Sequence, residues 1–324
     1  MKLIDSPPLP TSPEILRDAL ARATAQVDTV LLGKMREVRL AFVCLLAGGH
    51  LLIEDLPGVG KTTLAHALAA TLGLSFQRVQ FTSDLLPSDI IGVSIYEREP
   101  GRIDGGTFRF HPGPLFTQLL LADEINRATP KTQSALLEAM AEEQVTVDGR
   151  SHPLATPFFV VATQNPLDLA GTYPLPDSQL DRFMLRMGIG YPDRAAEQAM
   201  LAAPDRRGAL DALQPCLAPE QVLALRAACA ALTVSRALIE YVHALLEASR
   251  SDPEIRIGLS PRAGLALLAA ARAHAYLAGR PQVLPEDVQA VFEVVAAHRL
   301  APASHARGDR DVLARRLLET TPVR

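Results

Sequence analysis

The sequence predicts an α/β fold: a parallel sheet with flanking helices and two hairpin inserts, followed by an all-helical domain. Two observations carry this. Up to about residue 190, short apolar runs alternate with longer helical patterns, the rhythm of strands joined by helical crossovers. Beyond that point strand-like runs stop and helices opened by proline follow one another. A chain of 324 residues has room for two domains of the usual ~100–200 residues.

The elements follow in order. Residues 1–12 are a Pro-rich arm, and Ser12-Pro13-Glu14 then reads as cap, first helical position and acidic first turn of a helix toward Asp28. A second apolar stretch, 38–47, stops at Gly48-Gly49. Strands are expected at 51–54, 75–81, 119–122, 158–162 and 184–189, with helices at 61–72 and 131–143 among the connections. Residues 93–110 read as a hairpin insertion. Residues 145–154 read as another, because Asp148-Gly149 is a strong two-residue turn signal. Helices are expected at 219–232, 235–249, 261–277 and 285–298. The expected division is a disordered arm over 1–13, an α/β domain over 14–190 and a helical domain over 191–324.

Composition excludes several classes. Hydrophobic residues make up 48% and charged residues 21%, ordinary for a folded globular chain. Net charge is −4, from 32 basic and 36 acidic residues, so no dominant basic face for duplex nucleic acid is expected. Aromatic residues are 5% with no Trp, which offers little for stacking bases. The three cysteines are widely spaced and fit buried thiols in a reducing compartment rather than disulfides or a metal site. Residues 1–13 carry Asp5 and four prolines without an apolar core, unlike a signal peptide. No apolar run approaches a membrane span, so a cytoplasmic location is expected. No zinc-binding histidine spacing occurs, and Ser83, Ser178 and Ser260 lack the glycine context of a nucleophilic elbow.

Five groups of residues carry chemistry. Pro57-Gly58-Val59-Gly60-Lys61-Thr62-Thr63 follows a strand and opens a helix. Its glycines let backbone wrap a phosphate, Lys61 reaches the β/γ-phosphates, and Thr62 can hold Mg²⁺. The strict pattern has Gly where Asp55 stands. Second, the run 119–122 ends in Asp123-Glu124; an Asp there holds Mg²⁺ through water and the adjacent Glu can activate an attacking water. Third, Asn165 ends the fourth strand, where ligands of a parallel sheet bind; Asn165-Pro166 also reads as a turn initiator. Fourth, Arg182 closes a short helix begun at Pro176-Asp177, where a cation also complements the helix dipole. Fifth, Arg262 lies in a first helical turn, where a cation opposes the dipole unless it faces an anion such as a bound phosphate.

On these motifs the sequence resembles the MoxR family of AAA+ ATPases. The stretches that carry the resemblance are IEDLPGVGKTTLAHALA, VQFTSDLLPSDIIG, FRFHPGPLFTQLLLADEINRATPKTQSALLEAMAEEQVTVDG, VVATQNPLDLAGTYPLPDSQLDRFMLR, GLSPRAGLALLAAARAHAYLAGR and LPEDV, from about Gly33 to about His298. In this family an acidic residue often replaces the first glycine of the phosphate loop, which accommodates Asp55. The resemblance implies ATP and Mg²⁺ as ligands, with Lys61 and Thr62 in Walker A and Asp123 and Glu124 in Walker B. Asn165 would be sensor 1, Arg182 an arginine finger reaching a neighbour's nucleotide, and Arg262 sensor 2 from a helical lid. Gly33 would make a backbone contact near adenine, and Arg127 is a candidate contact between subunits. Both hairpins would face the pore of a homo-oligomeric ring, a hexamer. The implied work is chaperone-like remodelling or maturation of a separate partner carrying a von Willebrand factor A domain. Two alternatives stand beside it. One is a nucleic-acid motor, disfavoured by the balanced charges of 93–110; the other is a non-hydrolysing scaffold, disfavoured by Glu124, Asn165, Arg182 and Arg262 occurring together.

Overall fold

The computed structural model describes residues 12–98, 106–167, 171–202, 207–303 and 309–323. The arm over 1–11 and the tip of the first hairpin, 99–105, lie outside the described residues.

Helix α1 (Pro13–Val30) opens as the sequence requires: Ser12 Oγ accepts from the Ile15 amide at 3.4 Å and Pro13 occupies the first turn. A turn leads into α2 (Met35–Leu46), which is buried on most sides. Strand β1 (Leu51–Glu54) and α3 (Lys61–Thr71) follow, then β2 (Phe76–Gln80) and the short α4 (Pro87–Ile91). The first hairpin is β3 (Gly92–Arg98) with β4 (Gly106–Pro112), paired antiparallel. Strand β5 (Leu119–Asp123) leads through α5 (Pro130–Glu142) to the second hairpin, β6 (Gln144–Val147) and β7 (Arg150–Pro153). At its turn Asp148 and Gly149 both have positive φ (50° and 75°), as a two-residue hairpin loop demands. Strand β8 (Phe159–Gln164), α6 (Asp177–Leu180) and β9 (Leu185–Met187) complete the first half.

The main sheet has the order β2-β5-β8-β1-β9 and every neighbour pair is parallel. Because side chains alternate across a strand, the sheet serves two cores. Leu51, Ile53, Leu119, Leu121, Phe159 and Val161 join the core built on α1, α2 and α3. Leu52, Leu120, Ala122, Val160 and Ala162 face the other, built on α5.

The second half comprises α7 (Arg194–Ala202), α8 (Arg207–Asp211), α9 (Pro219–Ala230), α10 (Arg236–Ser251), β10 (Ile255–Ile257), α11 (Pro261–Leu277), α12 (Pro285–Ala296), β11 (Ala301–Pro302) and α13 (Asp309–Thr320). It departs from the sequence reading in two respects, the first being that α7, α8 and α13 are helices beyond the four expected. Second, strands do not end at residue 190, since β10 and β11 pair antiparallel. Segments of two or three residues carry no readable period, and their pairing is a tertiary event. The helical half packs through α11 on α2 and shares the larger core with α1 and α2.

His50, buried just before β1, fixes the sheet to α5. Its Nδ1 accepts from the Val160 amide at 3.1 Å and its Nε2 lies 3.2 Å from the Met140 carbonyl, so the ring is neutral with the proton on Nε2. Burial pushes its pKa from 6.5 down to about 4. Burial and the neighbouring Arg299 likewise hold His298 well below the usual range. The unfolded chain therefore takes up these protons near pH 6.5 while the folded chain resists them, so their stabilising effect is complete above 6.5 and lost as pH falls toward 4. Thermal melts should show Tm falling over that window, by up to about 1.4 kcal/mol of stability per pH unit per group. The double variant His50→Gln, His298→Gln should flatten the slope; an unchanged slope would exclude these rings as its source.

Candidate functional site

The order of the sheet sets out the site. The carboxyl ends of β5, β8 and β1 lie side by side, bringing Asp123, Asn165 and the loop after β1 to one edge. In that loop Gly58 and Gly60 have φ of 82° and 98°, a backbone that side-chain-bearing residues rarely adopt. Gly60 caps α3, so Lys61, Thr62 and Thr63 form its first turn, where N–H groups and the helix dipole favour an anion. Lys61 Nζ donates to the Asp55 carbonyl at 2.6 Å. Burial pushes the Lys61 pKa down, while the carboxylates of Asp55, Asp123 and Glu124 push it back up. Both motifs therefore act on one ammonium.

At the end of β5, Asp123 is 8% exposed and its two oxygens have separate partners. Oδ1 accepts from Thr163 Oγ1 at 2.6 Å, and Oδ2 accepts from Arg78 Nη2 at 2.7 Å and Nε at 3.2 Å. The Thr163 hydroxyl in turn accepts from the Glu124 amide at 2.9 Å. Glu124 adopts a left-handed backbone (φ 57°, ψ 49°), strained for a residue with a Cβ. Its Oε2 lies 2.6 Å from Arg127 Nε. Arg78 and Thr163 are the site residues that sequence reasoning missed. The signal for Arg78 was the single charge in a strand of otherwise uncharged residues, and Thr163 sat inside a motif read for its asparagine.

Asn165 is 8% exposed and its Oδ1 accepts from the Leu167 amide at 3.1 Å, the local turn that Asn-Pro suggests. It nevertheless stands at the strand end between those of Asp123 and the phosphate loop. Gly33, with φ 71°, lies in the turn between α1 and α2, and a Cβ there would sit 2.8 Å from Ala196 Cβ. The neighbouring Leu31 approaches the loop, 2.9 Å from where a Cβ on Gly60 would be.

Arg182 and Arg262 are elsewhere. Arg182 Nη1 donates to the Leu137 carbonyl of α5 at 2.6 Å. Two residues on, the Met184 amide donates to the His50 carbonyl at 2.9 Å, so this segment adjoins the start of β1. The phosphate loop leaves the other end of β1, roughly 13 Å away at the rise of a strand. Arg262 Nε lies 4.0 Å from Asp181 Oδ2, whose other oxygen accepts from Arg299 Nε at 2.7 Å. The anion facing Arg262 is thus the Asp181 carboxylate, next in sequence to Arg182. One chain brings Lys61, Asp123, Glu124 and Asn165 together, and sets its two arginines at the opposite end of the sheet.

Residues 50–185 match the family described as "ATPase family associated with various cellular activities (AAA)", and residues 247–318 match the AAA lid domain. The Bacillus subtilis protein YeaC is 43% identical over 89% of this chain and 88% of its own length. Chaperone MoxR1 of Mycobacterium tuberculosis is 39% identical over 93% of this chain and 81% of its own. A crystal structure of a Cytophaga hutchinsonii protein assigned as an ATPase superposes with a TM-score of 0.85 at 34% identity, covering 96% of this chain and 97% of that one.

The Thr163 hydroxyl is fully buried between two polar groups, so its loss has a readable cost. Thr163→Val keeps the volume but leaves the Glu124 amide and an Asp123 oxygen unpaired, and urea unfolding of the nucleotide-free protein should show a loss of about 1–3 kcal/mol. Thr163→Ser should retain most of that stability. Equal stability of the two variants would mean the hydroxyl holds nothing.

Proposed function

The chain belongs to the MoxR family of AAA+ ATPases, and from that premise we propose that it hydrolyses ATP with Mg²⁺ in a ring of its own copies, a hexamer. The work of that ring is to remodel or mature a partner protein carrying a von Willebrand factor A domain. Residues 14–190 would form the nucleotide domain and 191–324 the lid. The observation that carries the reading is the division of one chain's charged groups. Phosphate-binding and carboxylate groups converge on Lys61, while Arg182 and Arg262 stand about a strand length away.

Each residue then has a role. The backbone around Gly58, Val59 and Gly60, with Pro57 before it, wraps the phosphates, and Lys61 exchanges the Asp55 carbonyl for a phosphate oxygen. Thr63 continues the first turn of α3 behind Thr62. Thr62 and Asp123 would hold Mg²⁺, and their hydroxyl and carboxylate oxygens suit that hard cation. Asp123 already attracts a cation, the Arg78 guanidinium, which supports the fit. Bound there, Mg²⁺ would neutralise phosphate charge. Glu124 takes the proton of the attacking water once Arg127 releases its carboxylate, and Asn165 orients that water. Gly33 borders the base. Arg182 leaves the Leu137 carbonyl to reach the nucleotide of an adjacent copy, with Arg262 beside it.

The partner would be gripped by the first hairpin, whose Val93, Ile95, Tyr96 and Phe108 are exposed. Its Arg109 and His111 both pair with Glu97, at 3.2 and 2.9 Å, which suits a protein partner better than a nucleic acid. The name of the mycobacterial relative supports the chaperone role. Among the described residues no helix is long and apolar enough to cross a membrane, and the three cysteines are free thiols. Both fit the cytoplasmic location we propose.

Binding and turnover should separate by mutation. Lys61→Ala should weaken nucleotide binding, whereas Glu124→Gln should bind ATP and lose turnover, because an amide is not a base. Wild-type hydrolysis by Glu124→Gln would overturn the assignment of the base.

The arginine finger has its own test. Arg182→Ala should bind ATP yet lose ~10³–10⁵ in rate. When it is mixed with Lys61→Ala under subunit exchange, some interfaces join an intact Lys61 site to a neighbour's intact Arg182, and part of the ATPase should return. No recovery in demonstrably mixed rings, or normal hydrolysis by Arg182→Ala alone, would refute action between subunits.

A further inference from the structure

Asp55 stands where the strict phosphate-loop pattern has glycine, and its carboxylate is fully engaged. Its backbone extends the sheet, the Asp55 amide donating to the Gln164 carbonyl at 3.1 Å, so its position is set by the β1–β8 ladder. Oδ1 accepts from the Leu56 amide at 2.7 Å. Oδ2 accepts from two consecutive amides, Ile189 at 2.6 Å and Gly190 at 2.5 Å. Successive amides turned toward one point make a concavity for an anion, and here the anion is supplied by the chain itself. The glycines on either side permit the wrap. A Cβ on Gly188 would lie 3.4 Å from Asp55 Oδ2, and Gly190 has φ of 67°. Ile189 is 2% exposed, so without the carboxylate its amide is buried without this partner.

The segment held in this way is the exit of β9, through which the chain leaves the sheet for the helical half. It is tied again one residue later, where the Tyr191 carbonyl accepts from Lys34 Nζ at 2.7 Å. Asp55 is also the residue whose carbonyl holds Lys61 Nζ. A phosphate bound in the loop competes for that ammonium, so the arrival of nucleotide is felt first at the residue that clasps 188–190.

We propose that Asp55 is a positioning residue that fastens the phosphate loop to the segment leading into the helical half, so that occupancy of the loop resets that half. The proposal rests on the nucleotide-binding reading above. A glycine at position 55 would still form the loop but would cut the link.

The experiment compares full-length wild type, Asp55→Gly and Asp55→Asn by hydrogen exchange, with and without Mg²⁺ and a non-hydrolysable ATP analogue. Affinity for the analogue is measured in parallel. In wild type, bound analogue should change protection in peptides from α9 to α12. In Asp55→Gly, exchange at Ile189 and Gly190 should quicken at least tenfold without nucleotide. The analogue should still bind, but its effect on α9 to α12 should fall several-fold. Asp55→Asn, which keeps one acceptor oxygen of the two, should lie between, and it carries the test if the glycine variant does not fold. Unchanged exchange at Ile189 and Gly190, or a nucleotide effect on α9 to α12 that is absent from wild type or undiminished in the variants, overturns the proposal. A wild type that binds no analogue is recognised by the affinity measurement and removes the nucleotide reading, and the proposal with it.

Discussion

The parallel ladder in which β8 pairs with β5 on one side and β1 on the other governs where the reactive groups lie. Its register sets Ala122 against Ala162, and Ala162 against Leu52, so all three strands end at nearly the same height. Each is buried along its apolar length and turns polar only at its end, at Asp123, at Thr163 and Gln164, and at Glu54. Buried apolar strands cannot slip by one residue without exchanging the two cores. The same constraint that packs the interior therefore fixes the relative positions of the carboxylates, Asn165 and the phosphate loop.

The ladder also explains why Arg182 and Arg262 stand apart from Lys61. Strand β9 pairs with β1 in the parallel sense, so the residues preceding β9 lie at the start of β1 and not at its functional end. Arg182 precedes β9 and inherits that placement. Arg262 comes from the helical half but faces Asp181, so it follows Arg182 to the same end. Both arginines are thus placed by the start of β1 and not by the phosphate loop, and the proposed ring rests on that separation.

Much of this was legible in the sequence because it depends on local periodicity and turn chemistry. The five strands, α1, α3, α5 and the Asp148-Gly149 hairpin turn follow from apolar runs and from residues that favour positive φ. Pairings across the sheet were not legible. Arg78 reads as an odd charge in a strand until β2 is laid beside β5, and Thr163 gains meaning only when Glu124 and Asp123 stand opposite it. The β10–β11 pair was missed for the same reason; α13 was missed for no such reason, since its buried Leu313, Ala314 and Leu317 carry a local helical spacing that the sequence already offered. Arg182 shows the converse: its place at the end of a short helix was visible, but its partner, a carbonyl in α5, was not.

The nucleotide-free site is already paired within itself, and this bears on how it binds. Lys61 rests on the Asp55 carbonyl, Asp123 on Arg78, and Glu124 on Arg127. Asp123 is the buried member of these pairs, and its charge left unpaired there would cost more than the paired one. On the proposed reading, a phosphate and a divalent cation would exchange these partners rather than create them. Lys61 would trade a carbonyl dipole for a full negative charge, a gain in a site where burial already disfavours the bare ammonium. Asp123 would hold the cation in place of Arg78. Glu124 would gain least, since its ion pair with Arg127 must break before it can accept a proton. Binding and turnover would then be separated by which ion pair each must open, Asp123 with Arg78 for the first and Glu124 with Arg127 for the second.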